Sequence, residues 1–168
     1  MRYRTLLLAG LALISITACT PAQPAESAGA AANPFVGAWI ITETSVTNAN
    51  GTRVNENPEP GLYMFTQHHF SNMLIPGATR TPFSAARTDE ERLAAYDNFF
   101  ADAGTYEYTE STLTATNMIA KMPHVMPPHA TGPLTYQWRL DGDALIMTLR
   151  GGWAPRGGEI TYRLARLE

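Results

Sequence analysis

The chain contains a single cysteine, Cys19, so no disulfide framework can hold it together. It also lacks an apolar run long enough to span a bilayer as a helix: Leu6 to Ile16 falls well short of the ~20 residues required. Basic clusters are missing as well. The whole chain carries −3, from 12 basic and 15 acidic residues. Without Arg2 and Arg4 the balance is −5. A surface that recognises phosphate needs concentrated Lys and Arg, so nucleic acid is not an expected partner. No nucleophile motif, phosphate loop or metal signature occurs. Of the four histidines, His68 and His69 are adjacent and point to opposite faces of an extended chain. His124 and His129 lie in the proline-rich "MPHVMPPHA". Neither spacing suits a metal site, and no metal or other cofactor is expected.

What is present begins with an export signal. Arg2 and Arg4 precede the apolar run in the manner of a secretory leader. The run ends in "ITAC", which resembles the lipobox of bacterial lipoproteins, with Cys19 as the acylated, mature N-terminus. A leader cut at an ordinary signal site is the alternative. Thr20 follows Cys19 instead of Asp; by the same resemblance, and for a Gram-negative host, this implies the periplasmic face of the outer membrane. The segments are therefore read as a signal peptide over 1–18, a lipidated cysteine and Ala/Pro-rich tether over 19–33, and one folded domain over 34–168.

The folded part reads as mainly β. Alternating runs predict eight strands, at about 37–48, 60–66, 69–75, 104–109, 112–121, 132–140, 143–150 and 158–167. They are separated by turn signals at Thr66–His69, Thr109–Ser111, Asp141–Asp143 and Gly151–Gly158. Eight is the number that closes a small antiparallel up-and-down barrel. Between the third and fourth strands, Thr88 and Glu91 form a capping box. Leu93, Tyr96 and Phe100 follow at helical spacing, and Gly104 supplies a stop, predicting one helix that covers a barrel end.

In the last strand, "EITYRLARLE", alternation puts Arg166 on the apolar face with Ile160, Tyr162 and Leu164. An arginine there needs a partner, and an aromatic face is one. If the first and last strands pair antiparallel, Trp39 lies beside Arg166 and the two plug one end, with Gly37 letting the backbone bend. The G-x-W of Gly37 to Trp39 and the late Arg166 resemble the lipocalin signature. "FVGAWIITETSVTNANGTRV", "GLYMFTQHHFSNML", "DEERLAAYDNFFADAGTYEY" and "RLARLE" are similar, in order and spacing, to the bacterial lipocalin-like domain family. The resemblance covers 34–168 and implies a barrel with an internal cavity, but no particular reaction. His69 stands where that family has glycine, which implies a wider or differently twisted turn.

Carrying the parity of Trp39 inward brings Glu43 and Tyr162 together inside the barrel, as a polar anchor or an acid–base pair. A strand bulge would instead turn Glu43 to solvent. Asn117 shares a face with Leu113 and Ala115. His69 and His124 are candidates for the barrel mouth, where histidine could move protons; Met118, Met122 and Met126 run toward the same loop. Tyr96, Phe100, Tyr136 and Trp138 complete the candidate ligand contacts. The favoured function is a membrane-anchored binder of a small apolar or amphipathic molecule. The alternatives are an isomerase, cyclase or hydrolase using Glu43, Tyr162 and His69, or a structural envelope lipoprotein with a filled barrel.

Overall fold

The computed structural model describes residues 32–76, 80–129, 132–151, 154 and 157–168. The expected signal peptide, Cys19 and nearly all of the tether lie outside these residues. The strands are β1 (Gly37–Asn48), β2 (Gly51–Asn55), β3 (Gly61–Phe65), β4 (His69–Leu74), β5 (Phe100–Tyr108), β6 (Thr112–Ala120), β7 (Leu134–Asp141), β8 (Ala144–Arg150) and β9 (Glu159–Arg166). Among the described residues, one α-helix, α1 (Asp89–Asp97), precedes β5. Each strand from β3 to β9 pairs antiparallel with the next, β1 pairs with β3, and β9 returns onto β1. The result is a closed eight-stranded antiparallel up-and-down barrel of lipocalin-like form, with β2 as a short flap on the second half of β1.

β2 was not expected from the sequence, and its burial explains why. All five of its residues are exposed, so it carries no alternation to read. The helix begins as expected, with the Thr88 side chain accepting from the Glu91 N–H and the Glu91 carboxylate accepting from the Thr88 N–H. It ends earlier than its spacing suggested. Phe100 starts β5, and Gly104 is not a stop but an interior strand residue paired with Asn117. A Cβ at Gly104 would overlap the Thr116 carbonyl oxygen, so glycine is needed there for close strand approach, beside the β-bulge in the β5–β6 register. The stripe expected to cap the barrel is also largely solvated: Leu93 is 60% and Tyr96 49% exposed.

One end of the barrel is plugged. Trp39 pairs with Arg166 across β1 and β9, and the guanidinium lies 4.1 Å from the indole ring centre. The same guanidinium donates to the carbonyls of Val36 and Pro34, at 2.6 and 2.8 Å. Gly37 has φ +134, and a Cβ there would meet both Arg166 and the Glu168 carbonyl. Residues 33–36 are thereby drawn across the barrel end. Phe35, fully buried, stacks edge-on against Trp138, Tyr106 and Tyr108, and its carbonyl accepts from the Trp39 indole N–H at 2.7 Å. The Thr66–His69 turn at this end is tight despite its histidine: the Thr66 N–H donates to the His69 carbonyl at 2.8 Å.

Candidate functional site

Among the described residues, the opposite end is open. A cavity of about 230 Å³ enters between β4, β5, β7, β8 and β9, with upper walls of Leu74, Phe100, Leu134, Leu149 and Ile160. These side chains point inward because each shares its strand's parity with a core residue nearer the plug. Deeper in, the lining changes to Tyr63, Asn72, Tyr136 and Tyr162. The barrel is not packed solid. Phe35 and Trp39 close it below, leaving an apolar well with a polar floor.

Behind Asn72 at the floor lies a buried carboxylate that does not itself line the cavity. Asp102 is paired with Asn72 across β4 and β5 and is 4% exposed; Asn72 is 3% and Asn117 8% exposed. Burial pushes the Asp102 carboxyl up to about 6. The Asn117 and Asn72 amides pull it partly back, yet neither closes to a hydrogen bond. Both carboxylate oxygens, and the side-chain oxygens of Asn72 and Asn117, accept nothing from any described residue. Such atoms are costly, at about 1–3 kcal/mol each when left unpaired. The tyrosines share the same low dielectric. Burial raises Tyr63 and Tyr136 well above their ordinary value, with Tyr162 and the Asp102 charge adding to both; Tyr136 raises Tyr63 further, whereas the Tyr63 hydrogen bond works against the shift at Tyr136. Tyr162 is raised to about 12, by burial first and Asp102 second. All three phenols are therefore neutral donors at physiological pH.

At the rim, Lys121, the only lysine in the chain, ties the end of α1 to the barrel. Its ammonium donates to the carbonyls of Tyr96 and of Phe99, the latter at 2.7 Å, and sits 3.7 Å from the Tyr96 ring centre. A cation at a helix C-terminus meets the negative end of the helix dipole. Asp97 and Met122 complete the mouth.

Of the expected ligand contacts, Tyr136, Tyr162 and Phe100 line the cavity; Asn117 is buried behind the lining, its amide donating to the Val125 carbonyl at 3.2 Å. Glu43 does not line it. A bulge between Ile41 and Glu43 moves its partner from Tyr162 to Arg163, while Thr44 takes the place opposite Tyr162. Glu43 thus shares the outer face with Arg163, whose guanidinium pairs with Asp141 at 2.6 Å. His69 is exposed in the turn at the plugged end, remote from the mouth, so Glu43, Tyr162 and His69 form no common acid–base set. Trp138 belongs to the plug through Phe35, and Tyr96 serves the rim through Lys121. His124 and His129 are exposed in the loop that follows Met122. Asp102 and Asn72 were missed. The signal was available in "FADAGTY", where a period of two puts Phe100, Asp102, Gly104 and Tyr106 on one face, but the helix reading had absorbed that stretch.

Neither a protein-family model nor a curated protein matches the chain. Among solved structures, it is similar to a lipocalin-like protein from Bacteroides uniformis, with 13% identity and a TM-score of 0.42 over 78% of this chain and 98% of the other. An uncharacterized protein from Bacteroides eggerthii matches at 13% identity and a TM-score of 0.41, over 77% and 98%. The lipocalin-like barrel of this chain rests on its own strand order and closure.

Proposed function

We propose that this protein binds a small, largely apolar molecule in its barrel, and that Cys19 anchors it by lipid to the periplasmic face of the outer membrane. The observation that carries the binding reading is the one-ended well: apolar walls above, polar groups below, and a plugged base. Ligand sites have this composition, with apolar area for affinity and a few fixed polar groups for orientation. The size narrows the choice. A cavity of about 150 Å³ accepts benzene, so this one suits one ring with a short chain and not a polycyclic body.

Titration calorimetry with ethylbenzene and 2-phenylethanol tests the reading, with NMR locating the contacts. Shifts should centre on Leu74, Phe100, Leu134 and Tyr136, and Leu134→Trp, which fills the mouth, should abolish binding while the spectrum stays folded. Shifts confined to the outer surface would overturn it. The anchor is tested separately. Cys19→Ser should move the protein from the membrane to the soluble fraction or leave an uncleaved precursor, and an unmodified mature N-terminus at another residue would refute lipidation.

A further inference from the structure

We propose that the base of the cavity recognises a protonated amine carried on a ring-sized apolar body, the ammonium passing Asn72 at the floor to pair with Asp102 just behind it, with Asn117 on the far side. The inference rests on the binding reading above and specifies the chemistry of its ligand.

Among the described residues, the four buried side-chain atoms that lack a partner are all oxygens, from Asn72, Asp102 and Asn117. Acceptors at and just behind the floor select a donor-rich head. An ammonium brings three donors and no acceptor, whereas a hydroxyl supplies one and a carboxylate none. Charge points the same way. Asp102 forms no ion pair with a described residue, and no basic side chain contributes to its titration. Lys121, the basic side chain among the described lining residues, has its ammonium committed to the carbonyls of Tyr96 in α1 and Phe99 just after it. A carboxylate removed from water without a counter-charge is costly, and a ligand cation would supply that charge.

The remaining groups around the floor are compatible. Tyr63 on β3, Tyr136 on β7 and Tyr162 on β9 surround it as neutral phenols. Their rings can face a cation. Asp97, the carboxylate among the described lining residues, stands at the rim and adds negative potential to the entrance. An anionic ligand would meet Asp97 and then Asp102 with no cation free to receive it among the described lining residues.

Three probes of matched shape separate the possibilities: phenethylamine, 2-phenylethanol and 3-phenylpropionate, titrated calorimetrically into the wild-type protein and into Asp102→Asn. At about pH 7.5, phenethylamine should bind wild type about tenfold or more tighter than the alcohol, the margin of a charge-assisted hydrogen bond over a neutral one. The acid should bind weakest. At about pH 5 the amine keeps its charge while Asp102 is protonated, so the preference should collapse. Asp102→Asn should retain alcohol binding and lose the preference at both pH values. Equal binding of amine and alcohol by wild type would overturn the inference and leave the cavity-binding reading standing. An amine preference that survives Asp102→Asn, or tighter binding of the acid, would also overturn it. Binding of none of the three would refute both readings.

Discussion

Asp102 sets a sign for the pH dependence of stability that is unusual among carboxylates. Its folded-state value of about 6 lies above its ordinary 3.8, so the folded state holds the proton more tightly than the unfolded chain does. The stabilisation from this group is fully present below the ordinary value and is lost as pH rises through about 6. The folded protein should therefore gain stability on acidification from about pH 7.5 to 5. A shift of this size corresponds to about 3 kcal/mol at most. Glu91 and Asp141 are held below their ordinary values, by Ser84 and Arg163 respectively; their loss on protonation comes only below about pH 4. Asp102→Asn keeps the shape and removes the charge. It should raise the stability of the ligand-free protein at neutral pH by about 2 kcal/mol and flatten the pH profile between 5 and 7.5. Urea denaturation at several pH values checks this, and a neutral-pH loss of stability in the variant would refute it.

Elements were legible wherever local chemistry and the hydrophobic period agreed. The Asp141–Ala144 hairpin and the Thr88–Glu91 capping box lie where turn and cap residues demanded. So does the Trp39–Arg166 pair, which follows from parity once the first and last strands pair antiparallel. Reading failed where one period shaded into another. Phe100 follows Tyr96 by four residues and extends the helical pattern, yet it also begins a period-two run, and sheet pairing with β4 and β6 decides between them. That one boundary hid Asp102, and with it the polar floor. Glu43 failed differently. Its parity is right up to Ile41, and the bulge that reverses it arises from fitting β1 to β9, a long-range event with no local marker. Phe35 lay one residue inside the predicted domain start, but nothing local marks it as the barrel's plug; its role comes from the Arg166 hydrogen bonds that fold residues 33–36 beneath the barrel.

At the scale of the whole molecule, the barrel is an asymmetric cup whose closed base allows its open half to remain hollow. The aromatic plug, the Trp39 layer and the β1–β9 seam supply continuous packing at one end, where burial is complete for Phe35, Leu145 and Leu164. The other end gives up packing to hold a cavity over unpaired acceptors. Arg166 joins the seam to the plug, because a single planar guanidinium covers the Trp39 ring and also holds two carbonyls of the incoming chain. Lysine could keep the charge but not the fork. Arg166→Leu should therefore cost about 1–3 kcal/mol, and Arg166→Lys should recover only part of it. The two ends make a further difference. Loss at the plug should free residues 33–36, so amide exchange should quicken at Val36, Gly37 and the Thr66–His69 turn, while amides of β4 and β5 around Asp102 keep their protection. Hydrogen exchange resolved by residue measures this, and uniform loss of protection around the whole barrel would show that the plug and the cavity do not behave as separable halves.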